Sequence, residues 1–113
     1  IMGTLRNHVQ LIGNVGQEPT ITNLESGRKV ARFSLATNEF YKKDKGEKVQ
    51  TTEWHTVVAW GKTADLIENY VVKGKELALS GKLKSRSYED KEGVTRYVTE
   101  IEASEILLMG SKS

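Results

Sequence analysis

The chain has 113 residues, 37% hydrophobic and 28% charged, so it can fold as one domain with a real core and is too apolar for a disordered polymer. A formal net charge of +2 and a pI of about 8.8 make it only mildly basic, so the partner class has to be read from where the charges lie. There is no cysteine, which excludes disulfides and thiolate metal sites and fits a cytosolic setting, and no apolar run approaches the ~20 residues of a membrane-spanning helix.

The first residues show no apolar targeting signal, and Ile1, which precedes the methionine, is set aside. Leu5 to Val15 alternates loosely, with Val9 and Leu11 on one face, and reads as a first strand. The glycines of Gly13-Asn-Val-Gly16 predict a bulge or sharp bend there. Pro19 opens a short edge segment, Thr20–Leu24, and Glu25–Arg28 is a turn. Lys29–Asn38 is a clear strand, with Ala31, Phe33 and Leu35 facing one way and Arg32 and Ser34 the other. The charged, glycine-containing stretch Phe40–Lys48 predicts a hairpin loop.

Thr51–Trp60 is the central strand, rich in threonine, valine and tryptophan. Alternation puts Trp54, Thr56, Val58 and Trp60 on one face and Glu53, His55, Val57 and Ala59 on the other. Both tryptophans of the chain thus share a face, roughly 20 Å apart along an extended strand. Next comes the one helical pattern. Leu66, Ile67, Tyr70 and Val71 form its apolar face, Thr63 is its candidate cap, Asp65 lies in its first turn and Lys73-Gly74 ends it. Lys75–Leu83 alternates with Leu77, Leu79 and Leu83 inward, and Lys84–Tyr88 continues it. Glu89–Gly93 is a second hairpin turn, Val94–Ala103 returns as a strand, Ile106–Met109 adds a last apolar piece, and Gly110–Ser113 opens a flexible linker. Three main strands, a helix and two more strands predict an all-β domain over residues 1–109: a five-stranded antiparallel Greek-key barrel of OB-fold order, with its helix between the third and fourth main strands.

The chemistry-bearing residues argue against catalysis. His8 and His55 are far apart, no phosphate loop, HExxH or GxSxG occurs, and the carboxylates Asp44, Glu47, Asp90 and Glu92 sit in lysine-rich turns. No metal or cofactor is expected. His55, a lone histidine on the face away from the tryptophans, reads as a packed or interface residue. Rings do recur beside cations. Tyr41 precedes Lys42 and Lys43, Trp54 and Trp60 precede Lys62, and Tyr88 follows Lys84 and Arg86. Single-stranded nucleic acid is held by this mixture, because cations neutralise phosphates while flat rings stack unpaired bases without reading them. The alternatives are an OB module that binds RNA, and a protein-interaction barrel whose rings form only an interface.

Gly13-Asn-Val-Gly-Gln-Glu-Pro19, Phe33-Ser-Leu-Ala-Thr37, Thr52-Glu-Trp-His55, Gly61-Lys62, Tyr70 with Lys73-Gly74, and Arg96-Tyr97 occur in the order and spacing of one family. In these residues the chain resembles the bacterial single-stranded-DNA-binding proteins (SSB). The resemblance implies a non-catalytic, cytoplasmic, nucleoid-associated homotetramer, a dimer of dimers, acting in DNA replication, recombination and repair. It implies base stacking by Tyr41, Trp54, Trp60 and Tyr88, phosphate contacts by Lys62, Lys73, Lys84, Arg86 and Arg96, and a subunit-interface position for His55. Two family tryptophans are tyrosines here, Trp60 replaces a phenylalanine, and a shorter loop lets Phe40 exchange roles with Tyr41. Replication and repair proteins are implied as partners only through an acidic C-terminal tail beyond this chain.

Overall fold

The computed structural model describes residues 6–109; the expected strand start at Leu5 and the linker Gly110–Ser113 lie outside them. The chain runs β1 (Val9–Val15), β2 (Thr20–Asn23), β3 (Lys29–Lys42), β4 (Lys48–Trp60), α1 (Gly61–Tyr70), β5 (Glu76–Glu89) and β6 (Thr95–Leu108). The strands lie in the order β1-β5-β6-β4-β3-β2, and a further pairing of β1 with β3 closes five of them into a barrel. The short β2 pairs only with β3, as the edge strand expected after Pro19. All ladders are antiparallel except β4–β6, a short parallel contact at Val57↔Ile101 and Val58↔Glu102. A five-membered ring of strands cannot alternate direction all the way round, so one pair must run parallel.

Burial follows the strand period. Ala31, Phe33 and Leu35 of β3, Val57 and Ala59 of β4, Leu77 and Leu79 of β5, and Ile101 and Ala103 of β6 fill the barrel. Ala64, Ile67 and Val71 from α1 and its exit complete that core. Gly61 joins β4 directly to α1 with φ +61°, a left-handed conformation that glycine adopts without cost. Trp60 occupies the N-cap position with no side-chain capping bond, so Thr63 does not cap the helix. Tyr70 is not on the buried face but 61% exposed, because the packed stripe runs through Ala64, Ile67 and Val71. Asp65 bonds instead to Lys29 Nζ at 2.8 Å, and Glu68 meets the same ammonium, tying α1 to β3. These two hydrogen bonds hold the Lys29 pKa above its ordinary value.

Four features of the strands differ from the sequence expectation. The β3–β4 ladder continues through Phe40↔Gln50 and Tyr41↔Val49, so the loop shrinks to a tight turn in which Lys43 N–H donates to Glu47 O at 2.8 Å. The lysines are no obstacle, since this ribbon projects beyond the barrel and is exposed on both faces. The pieces Val94–Ala103 and Ile106–Met109 form one strand, β6, with an irregularity opposite Ser80/Gly81. Leu83 is 48% exposed rather than inward, because the β5–β6 ribbon leaves the barrel there. Finally, β1 does not break at Gly13. It passes from β5 to β3, and Gly13 allows the crossing: an added Cβ would lie 2.2 Å from the backbone oxygen of Ala36.

Candidate nucleic-acid interface

The outward side of β4 carries Trp54, Thr56, Val58 and Trp60; none of the four packs in the cluster inside the barrel, and of them only Val58 is buried, at 5% exposure. Across the β3–β4 ladder they stand opposite Ala36, Ser34, Arg32 and Val30. On the other flank Val58 pairs with Glu102, which places Glu102, Glu100, Val98 and Arg96 of β6 on the same side. Beyond them Lys82, Lys84, Arg86 and Tyr88 of β5 pair with Glu102, Glu100, Val98 and Arg96 in turn. Four strands, β3, β4, β6 and β5, thus present one continuous outer face. Trp54, Trp60, Tyr88, Lys84, Arg86 and Arg96 from the sequence expectation all lie on it.

Trp54 is 61% exposed although it sits mid-strand, so its indole is not spent on the core. The ring lies over Gly16 and Ser34. An added Cβ on Gly16 would sit 2.4 Å from Trp54 Cζ3 and 2.9 Å from Ser34 Oγ. Gly16→Ala is therefore expected to tilt the indole away from its bed while leaving the barrel folded. A changed Trp54 emission maximum with an unchanged melting curve is the expected result, and an unchanged emission spectrum would count against this packing. Trp60 is half-buried, and the Arg28 guanidinium lies 4.2 Å above its ring centroid, a cation–π contact. A cleft of ≈ 390 Å³ opens beside Trp60, with His8, Lys82 and Glu102 in its walls. Tyr88 is 49% exposed, with Arg86 6.0 Å from its centroid.

The remaining ring behaves differently. Alternation along the β3–β4 ribbon puts Phe40, 64% exposed, on the side of Trp54, and Tyr41 on the side of His55 and Val49. His55 is half-buried and shares a 3.0 Å hydrogen bond with Thr37 Oγ1. Tyr41 lies instead among the lysines of the ribbon tip, Lys42, Lys43 and Lys45.

The cations divide into two groups. Arg86 makes a two-point hydrogen bond to Glu100, Nε to Oε1 at 3.2 Å and Nη2 to Oε2 at 3.1 Å, which raises its pKa further. Lys84 lies 3.7 Å from Glu102. Arg96 donates to Asp90 at 2.9 Å, and that bond, with the backbone N–H groups of Val94 and Glu92, holds the Asp90 pKa below the usual carboxylate range. Lys62 lies in the first turn of α1 and Lys73 in the turn that follows the helix; among the described residues neither enters an ion pair. Lys73 is off the four-stranded face, its backbone N–H donating to Glu18 Oε2 at 3.2 Å.

Three residues of this face were not singled out from sequence. Arg32 faces outward beside Val58, and Arg28 covers Trp60. Glu100 is the one buried charged residue among those described, 7% exposed. The alternation of β3 already placed Arg32 outward, but no local signal marked Arg28 or Glu100. Among the described residues no group of three histidine or acidic side chains converges as a metal site.

A model of the Single-strand binding protein family matches residues 6–109. The chain belongs to that family. Among its relatives, single-stranded DNA-binding protein 1 of Chlorobaculum tepidum is 41% identical over 107 residues, covering 94% of this chain and 66% of the relative. The protein of the same name from Xylella fastidiosa is 42% identical, covering 94% of this chain and 79% of the relative. The chain therefore spans about two thirds to four fifths of the length of these relatives. A solved structure of a Plasmodium falciparum SSB complex with ssDNA superposes with a TM-score of 0.85 at 34% identity, over 97% of this chain and all of that one. The OB-type barrel expected from the strand order is thus the barrel of the family.

Proposed function

We propose that the protein binds single-stranded DNA without reading its sequence and shields it during replication, recombination and repair. The observation that carries this reading is the outer face of β3, β4, β6 and β5. There an exposed indole, a second indole and a tyrosine are interleaved with arginines and lysines on a rigid sheet. An indole 61% exposed in mid-strand has no core role, and it suits stacking on a base, which presents a π-face whatever its identity. Trp54, Trp60 and Tyr88 form the stacking set, with Phe40 or Tyr41 extending it along the β3–β4 ribbon. Lys62, Lys73, Lys84, Arg86 and Arg96 take the phosphates. No bond is made or broken, and no metal or cofactor enters.

The active form is a homotetramer, a dimer of dimers, with His55 at a subunit interface. Self-association finds support in a second surface, the apolar row Ile12, Ala78 and Leu107 across β1, β5 and β6, whose end members are 56% and 66% exposed. Several faces on one particle raise the local concentration seen by one strand, so the assembly binds more tightly than a single barrel. The setting is the cytoplasm, on the nucleoid; among the described residues no helix is long and apolar enough to cross a membrane. Docking of replication and repair proteins belongs to an acidic C-terminal tail, where one follows the barrel.

Titration with oligo(dT) while following tryptophan fluorescence tests the reading, because Trp54 and Trp60 are the only indoles. Saturable quenching that weakens with salt is expected. A folded sample that neither quenches nor binds by anisotropy at low salt would overturn it. Lys62→Ala should lower the slope of log affinity against log salt by about 0.7, the value for one phosphate contact on a single strand. An unchanged slope would place Lys62 off the path of the strand.

A further inference from the structure

The buried carboxylate of Glu100 lies at the centre of the aromatic–basic face and meets two guanidiniums from different strands. Arg86 approaches from β5 with its two-point hydrogen bond. Arg32 approaches from β3, across β4, and brings Nη1 to 3.7 Å from Oε2. The three groups carry a net charge of +1. Their layering is unequal: the Glu100 side chain is 8% exposed, those of Arg86 and Arg32 are 48% and 40% exposed. The acid lies beneath and the guanidiniums lie above it, toward solvent, between Trp54 on one side and Glu102 and Trp60 on the other.

We infer that Glu100 is a positioning residue for single-stranded DNA binding: it holds Arg86 and Arg32 as a preset pair of planar cations on the stacking face. The inference rests on the nucleic-acid reading above. Two roles are open to an acid at this place, and burial separates them. An acid that masked the cations, mimicking a phosphate until DNA displaced it, would have to lie on their solvent side. Glu100 lies under them. Its fork consumes Nε and one Nη2 donor of Arg86, and the guanidinium keeps its other donors for a phosphate. A free arginine loses rotamer freedom when it engages a ligand, and an arginine already fixed loses less.

Simple electrostatics and positioning predict opposite signs. Glu100→Gln removes a negative charge from a surface that binds a polyanion. If charge alone mattered, the variant would bind oligo(dT) more tightly and with a steeper salt dependence. Positioning predicts weaker binding, ~10-fold for two released arginines. The loss should hold across the salt series with parallel slopes, because the number of neutralised phosphates is unchanged. Anisotropy with labelled oligo(dT) on the wild type and Glu100→Gln, below the melting range of both, gives the comparison. Equal or tighter binding by the folded variant overturns the inference and leaves the nucleic-acid reading in place. A wild type that binds no DNA removes both.

Loss of a buried acid can also unfold a small barrel, so Arg86→Lys supplies a second test. It keeps the charge and the Glu100 partner but gives up the planar fork. Several-fold weaker binding with an unaltered salt slope is expected. Binding equal to wild type would show that the fork positions nothing.

Discussion

Trp54→Ala is expected to weaken oligo(dT) binding by about 1–3 kcal/mol, roughly 5- to 150-fold, with the barrel intact. The indole is 61% exposed, so truncation removes little buried area, and its neighbours Gly16 and Ser34 remain in place. The salt dependence should be unchanged, because stacking releases no counterions. Trp60 stays as a fluorescent reporter, and Trp54→Phe should recover part of the loss by keeping a flat ring. Fluorescence and anisotropy titrations at two salt concentrations check all three statements. Wild-type affinity in a folded Trp54→Ala protein would remove this ring from the binding face.

Gly13→Ala should be the more damaging change to the fold, by about 1–3 kcal/mol or a little more, since overpacking a rigid site is costly. The difficulty is space. A new Cβ would lie 2.2 Å from the Ala36 carbonyl oxygen and 3.2 Å from Leu35 Cγ, and the first of these is backbone that has no rotamer to escape into. Either β1 lifts off β3, opening the barrel where Asn14↔Ala36 closes it, or β3 moves. For a domain of this size the melting midpoint should fall by roughly 5–20 °C. Ala36 also stands opposite Trp54, so the variant should lose some affinity for DNA as well as stability. A melting curve identical to wild type would mean that β1 does not cross β3 at this point.

These two outcomes separate what a single strand carries from what the barrel adds. Alternation is a local property of extended backbone, and it was enough to put Trp54 and Trp60 on one face of β4, and Val57 and Ala59 on the other. The turns at Gly46 and Gly93, the edge position of β2 and the helix that begins at Gly61 were equally legible, because each depends on a few adjacent residues. The misreadings were also local. Lysines and a glycine at Phe40–Lys48 looked like a loop, yet an exposed two-stranded ribbon accommodates them, and the register then turns Phe40 rather than Tyr41 toward Trp54.

What the sequence by itself determined was therefore the element order, the inward and outward faces of each strand, and the mixture of rings and cations. The tertiary structure alone decided which strands lie side by side, and so which groups meet. Glu100 is 14 residues from Arg86 and 68 from Arg32, and only the β5–β6 and β4–β6 pairings bring those three onto one surface. The same closure brings Gly13 against Ala36 and Gly16 against Trp54. Charge neutralisation and steric contact act over a few ångströms in space, whereas a linear pattern reports only neighbours along the chain, so the pairing of acid with cation emerged only when the barrel closed.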